Sequence, residues 1–254
     1  MMSGRLTVVG LGPGPAEWMT PAVLAAIAGA TDILGYDNYV RRITPHADQR
    51  VHTSDNREEL SRSRHALMLA AEGGNVVVVS GGDPGVFAMA AAIFEAVEHG
   101  PSSWRAIDIV VEPGVTAMLA AAARLGAPLG HDFCAISLSD NLKPWDVIVR
   151  RLQLAAQADF VIALYNPASK ARPDQIKHAF GVLSGCRHAD TPVMLARAVG
   201  RPDEDITVTT LGKAAQEPVD MRTMVMIGSS ATRVLERADG RTWVYTPRSV
   251  GAAT

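Results

Sequence analysis

The stretch NVVVVSGGDPG, residues 75–85, constrains the fold most. Four consecutive valines leave no polar face, so the strand they form has to be covered on both sides. That is the signature of a parallel sheet flanked by helices, and the glycine-rich turn marks where the strand stops.

The rest of the chain follows the same alternation. RLTVVG at 5–10 and TDILGY at 31–36 read as further strands, and AIDIVV at 106–111 as another. Helices are expected from Thr20-Pro21, with Thr as cap and Pro in the first turn, over 56–71 up to Gly73-Gly74, over 86–97 and over 115–125. GAPLGHD at 126–132 breaks the pattern and sets the expected boundary between a domain at 1–126 and one at 127–254. In the second half, strands are expected at 133–138, 159–165, 192–197, 205–210 and 223–228, and helices at 144–157 and 173–183. The strands at 205–210 and 223–228 lie too close for a full crossover helix and read as an antiparallel pair. The expected architecture is two α/β domains, the first with a mainly parallel sheet, the second with a mixed one.

A net charge of −2 gives no general attraction to nucleic acid or to an anionic membrane. The cationic residues are nevertheless 20 Arg against 4 Lys. Compositional bias accounts for this, although some arginines could grip carboxylates with two-pronged hydrogen bonds. Cys134 and Cys186 read as reduced structural thiols. The seven histidines share no metal-binding spacing, and no hydrolase elbow is present. The start of the chain has no apolar targeting segment, and the apolar run 115–123 is too short to span a bilayer, so a cytoplasmic protein is expected.

Three strand ends in the first half finish in glycine-rich turns, at Gly10–Gly14, Gly81–Gly85 and Pro113-Gly114. In an open α/β sheet, ligands bind beyond such ends. The loop GLGPGP at 10–15 does not fit a dinucleotide fingerprint: its sixth position is Pro15, and Pro13 and Pro15 lack the N–H groups that cradle a pyrophosphate. A ligand without phosphate tolerates those prolines, and exposed loop carbonyls would suit cationic groups; S-adenosylmethionine is such a ligand. Asp83 is either a helix cap or a pocket carboxylate. Thr116 could cap or bind ligand. After later strands, Asp140, Lys143 and Trp145, and then Tyr165, Asn166, Ser169, Lys170 and Arg172, form polar clusters that could hold an anionic molecule. Arg150-Arg151 reads as a solvated helix face and Asn166-Pro167 as a turn.

VVGLGPGP, SGGDPGVF and PGVTAMLAAAARLGAPLGHDF together resemble the tetrapyrrole (corrin/porphyrin) methylase family over about residues 6–229, with Pro15 where the family's first loop usually ends in Asp. ISLSDNLKPWDVIVRRL, LYNPASKAR and MRTMVMIGSS are most similar to members that methylate C17 of precorrin-3B, with ring contraction to precorrin-4. The resemblance implies an S-adenosylmethionine-dependent methyltransferase of cobalamin synthesis, a homodimer, with a polycarboxylated tetrapyrrole substrate and a cleft between the domains. Carried onto this chain, the donor contacts are Pro13, Gly82, Asp83, Val86, Phe87, Thr116, Ala117, Tyr165, Asn166, Ala196, Thr223 and Met224. Asp140 is the candidate base for the proton transfers, with Lys170 and Arg172 as candidate anchors. A cobalt-loaded substrate and a non-catalytic tetrapyrrole carrier are the alternatives.

Overall fold

The computed structural model describes residues 4–55, 58–169 and 171–249. The chain divides into two compact units, Met1–Thr116 and Ala117–Thr254.

The first unit runs β1 (Arg5–Gly10), α1 (Pro21–Ala28), β2 (Asp32–Tyr36), α2 (Asp37–Val40), β3 (Arg50–Ser54), α3 (Glu59–Ala71), β4 (Asn75–Ser80), α4 (Met89–His99) and β5 (Asp108–Glu112). The strands form one sheet in the order β3-β2-β4-β1-β5, and every pairing is parallel. The valine run behaves as its pattern demands, with Val76–Val79 at zero exposure. Val76 and Val78 pack with Leu6, Val8, Ala66, Leu67 and Ile93 on the face covered by α3 and α4. Val77 and Val79 pack with Val9, Ile33, Val23 and Ile27 on the face covered by α1. Helices leave toward opposite faces around β1 and β4, which makes the carboxyl ends of these strands the topological switch point.

Local signals hold at α1, where the Thr20 hydroxyl accepts from the Val23 N–H at 3.2 Å. α4 begins at Met89 instead of residue 86, because the SGGDPGVF turn continues through Phe87, whose φ is +53°. Asn56 and Arg57, where the helix over 56–71 was expected to start, lie outside the described residues. β3 (RVHTS) is an edge strand with polar residues and no apolar run, so composition did not reveal it.

The second unit runs α5 (Ala117–Leu125), β6 (Gly126–Ala127), β7 (Phe133–Ser137), α6 (Trp145–Gln157), β8 (Val161–Tyr165), α7 (Gln175–Ser184), β9 (Pro192–Arg197), β10 (Asp205–Thr210), α8 (Leu211–Ala214), β11 (Thr223–Ile227), β12 (Arg233–Glu236) and β13 (Thr242–Tyr245). Its larger sheet has the order β10-β9-β11-β8-β7. The β7–β8 pair is parallel and the other pairs are antiparallel. One face packs Ile162, Leu164, Val193, Leu195 and Val225 against Ile148, Leu152, Ala179 and Phe180 of α6 and α7. β12, β13 and β6 form a small separate sheet.

One expectation is corrected here. β10 and β11 are not an antiparallel pair: β9 lies between them and is antiparallel to both. The loop from β9 to β10 is short enough to make its own hairpin, which uses the pairing edge that β11 would have taken. The division between units falls at Thr116/Ala117, before the expected 126/127. α5 touches β6, β11 and β13 and so belongs to the second unit. The glycine-rich stretch at 126–132 follows that helix, not the boundary.

Candidate functional site

In the first unit, the three glycine turns meet beyond the carboxyl ends of β4, β1 and β5. Gly12 and Gly82 bridge as a strand pair would, with Gly12 N–H to Gly82 O at 3.1 Å and Gly82 N–H to Gly12 O at 3.2 Å. The Leu11 N–H donates to Ser80 O at 2.9 Å. A Cβ on Gly10 would lie 2.6 Å from Gly82 O and 2.7 Å from Gly114 N. The role of glycine at position 10 is therefore to let neighbouring backbones touch; the close partner is another loop of the same unit.

Asp83 joins the second and third turns. Its Oδ1 accepts from Gly85 N–H at 2.8 Å and its Oδ2 from Gly114 N–H at 3.1 Å. It does not cap α4, whose cap position is Ala88 with no side-chain bond. Val86 donates its N–H to Asp83 O at 3.3 Å. Phe87 follows in the left-handed region, half exposed; a bulky residue at positive φ is held there by its surroundings. Thr116 is buried at the end of the unit.

Three carbonyls of the first loop take hydrogen bonds from within the chain. Arg42, just after α2, donates from Nη1 to Gly12 O at 2.8 Å and from Nη2 to Leu11 O at 2.8 Å and Gly14 O at 2.9 Å. Tyr39 of the same segment lies where a Cβ on Gly81 would be, 2.7 Å away. Sequence reasoning missed both residues. The signal was indirect: a loop with two prolines lacks donors for its own carbonyls, so they need a multi-donor side chain from elsewhere in the chain.

Among the described residues, the second unit's candidates lie mostly toward the end of its larger sheet where β7, β8 and β9 finish and β11 begins. The Tyr165 hydroxyl, at the end of β8, accepts from Met118 N–H at 3.2 Å and so satisfies a first-turn donor of α5 beside Ala117. Asn166 has φ +53° and donates from Nδ2 to Ser137 Oγ at 2.9 Å. Ala196 and Met224 are register partners on β9 and β11, and Thr223 faces Arg197. Thr223 Oγ1 donates to Asp220 Oδ1 at 3.0 Å, while Arg197 Nε donates to Asp220 Oδ2 at 2.8 Å. Asp203 accepts both guanidinium nitrogens of Arg222 at 2.7 Å. That pairing holds the Asp203 carboxyl down at about 2. After β9, Ala198 is again at positive φ, +52°. Phe87, Asn166 and Ala198 thus concentrate backbone strain in turns that follow strands, where functional loops store it.

Asp140 does not stand alone as a base. Its Oδ1 takes Arg172 Nη1 at 3.3 Å and its Oδ2 takes Gln175 Nε2 at 3.2 Å. Arg172 also closes a small bridge with Ser169. Lys170 lies outside the described residues. Part of the arginine excess is spent on the chain's own carboxylates, with Arg50, Arg172, Arg197, Arg222 and Arg241 all ion-paired. Among the described residues, no group of three or more His, Cys, Asp or Glu could hold a metal, and no helix is long and apolar enough to cross a membrane. Cys134 and Cys186 are free and half-buried, and burial pushes the Cys134 thiol up.

Residues 5–215 match the family of Tetrapyrrole (Corrin/Porphyrin) Methylases. The chain is 57% identical over 253 residues to a precorrin-3B C(17)-methyltransferase of Sinorhizobium sp, covering 100% of both chains. It is 41% identical over 232 residues to a probable cobalt-factor III C(17)-methyltransferase of Salmonella typhimurium, covering 90% of this chain and 94% of that one. The solved structure of the methyltransferase CobJ is 53% identical and superimposes with a TM-score of 0.91 over 96% of this chain and 100% of its own. The chain belongs to the tetrapyrrole (corrin/porphyrin) methylases.

Proposed function

We propose that the protein is an S-adenosylmethionine-dependent C-methyltransferase of cobalamin synthesis, which methylates C17 of precorrin-3B as the macrocycle contracts to precorrin-4. The observation that carries this reading is the end-to-end likeness to a precorrin-3B C(17)-methyltransferase. The reading includes a cytoplasmic homodimer.

The first unit's loops support a donor without phosphate. Leu11, Gly12 and Gly82 spend their N–H groups on Ser80, Gly82 and Gly12, and Pro13 and Pro15 have none, which leaves fewer donors there for a phosphate. When bound, S-adenosylmethionine supplies a methyl group on a sulfonium, ready for displacement by a carbon nucleophile. The candidates to hold it are Pro13, Gly82, Asp83, Val86, Phe87 and Thr116 in the first unit and Ala117, Tyr165, Asn166, Ala196, Thr223 and Met224 in the second. Their work is orientation, which can provide much of the rate in a transfer of this kind. Asp83 fixes two turns, and Asn166 is tied to the end of the neighbouring strand.

For the tetrapyrrole, Arg172 and Lys170 are the proposed anchors of peripheral carboxylates, and Asp140 the proposed proton acceptor during contraction. The Arg172–Asp140 pair sets a condition on this: a substrate carboxylate that draws Arg172 away frees Asp140 Oδ1 to take a proton. The test is incubation with S-adenosylmethionine and either metal-free precorrin-3B or its cobalt-loaded counterpart, followed by the mass and absorption spectrum of the product. A mass gain of one methylene with the metal-free substrate is expected. Turnover of only the cobalt-loaded substrate moves the assignment to the anaerobic reaction, and binding without turnover to a carrier. In Asp140→Asn, methylation and contraction at wild-type rates would remove Asp140 from the proposal.

A further inference from the structure

We propose that Arg42 is the positioning residue of the first glycine loop, its guanidinium setting the loop in the shape that receives the methyl donor. The proposal rests on the reading of the protein as an S-adenosylmethionine-dependent enzyme.

Arg42 makes three hydrogen bonds to the carbonyls of Leu11, Gly12 and Gly14, all between 2.8 and 2.9 Å. These carbonyls sit on both sides of Pro13. The loop has few donors of its own, because Pro13 and Pro15 have no N–H and those of Leu11 and Gly12 are used across the sheet end. A planar fork with five N–H donors can serve three divergent carbonyls from one side chain; an ammonium is a point with less reach.

The segment that carries Arg42 is itself fixed. The Arg42 N–H donates to Tyr39 O at 3.0 Å, and Arg41 pairs with Asp37 at 2.7 Å. The Tyr39 ring occupies the space beside Gly81. One short stretch, residues 37–42, therefore registers two of the three turns of the first unit. Arg42 acts through the loop and need not touch the donor. A loop held in its binding shape spares the donor the cost of ordering it.

The test uses the full chain with Arg42→Lys, Arg42→Met and Arg42→Ala. The readouts are calorimetric binding of S-adenosylhomocysteine, KM for each substrate with kcat, and the unfolding midpoint without ligand. In Met and Ala, losing charge-assisted bonds that hold the loop should weaken S-adenosylhomocysteine binding roughly 10- to 100-fold. KM for the tetrapyrrole should stay unchanged. Lys should recover part of the loss, as should guanidinium ion added to Arg42→Ala at concentrations too low to denature. Unchanged affinity in the folded variants overturns the proposal. So does a loss that neither Lys nor guanidinium relieves, since that is general damage to the unit. Should Met and Ala fail to fold, wild-type affinity in the Lys variant likewise overturns it. A wild-type chain that does not bind S-adenosylhomocysteine defeats the functional reading itself, and the two failures are thereby distinguished.

Discussion

Replacing a glycine by alanine should have opposite effects at two positions of this chain. At Gly10 the new methyl carbon would sit 2.6 Å from Gly82 O, 2.7 Å from Gly114 N and 2.8 Å from Gly114 Cα. All three are backbone atoms, so no side chain can rotate aside, and the turns have to separate by several tenths of an ångström. Overpacking of this kind costs about 1–3 kcal/mol. The separation also strains the paired bonds between Gly12 and Gly82, at 3.1 and 3.2 Å, each contributing about 1 kcal/mol. The combined expectation is a loss of roughly 2–4 kcal/mol. At Gly181, inside α7, a Cβ meets nothing within 4 Å. There, alanine should stabilise by about 0.5–1 kcal/mol through helix propensity and a less disordered unfolded state. Thermal and urea unfolding of the two variants beside the parent checks both signs, with a fall of roughly 5–12 °C expected for Gly10→Ala. Gly10→Ala should also bind the methyl donor more weakly and Gly181→Ala as tightly as the parent. A Gly10→Ala protein with parental stability and parental donor affinity would refute the account of the turns as a backbone-to-backbone junction.

Two further expectations concern carboxylates. Asp83→Asn should be no milder than Asp83→Ala, because the amide turns one acceptor into a donor facing Gly85 N–H or Gly114 N–H; both should lose about 2–3 kcal/mol in urea unfolding, and an Asn variant of parental stability would contradict the clamp. Asp32 is fully buried, and hydrogen bonds from Arg50 hold its carboxyl far below the usual range. Its folded-state pKa is depressed, so its contribution is present above about pH 4 and is lost as pH falls toward the folded value. The stability gap between the parent and Asp32→Asn should therefore shrink below pH 4 in a pH series of urea melts, and a constant gap would remove the Asp32–Arg50 clamp as its source.

Sequence patterns reached as far as local physics reaches. The valine run needed two covered faces and obtained them, and Thr20-Pro21 opened α1 as its cap chemistry requires. The polar edge strand β3 and the short, exposed β12 carried too little apolar periodicity to be read. Asp83 was recognised as important but its partner was not, since Gly114 lies far along the chain.

The sequence by itself determined the α/β class, most of the strands, the lack of N–H donors at the two prolines of GLGPGP and, through its motifs, the family. Apolar periodicity, missing proline N–H groups and cap residues act within a few positions, so a linear reading recovers them. Only the tertiary structure decided that β9 separates β10 from β11, that α5 belongs to the second unit, and that the loop carbonyls go to Arg42. Each of these depends on which of several equally capable partners meet once the chain is packed. Hydrogen bonds and close backbone approaches form between residues tens of positions apart, and residue type alone does not say which of them will pair.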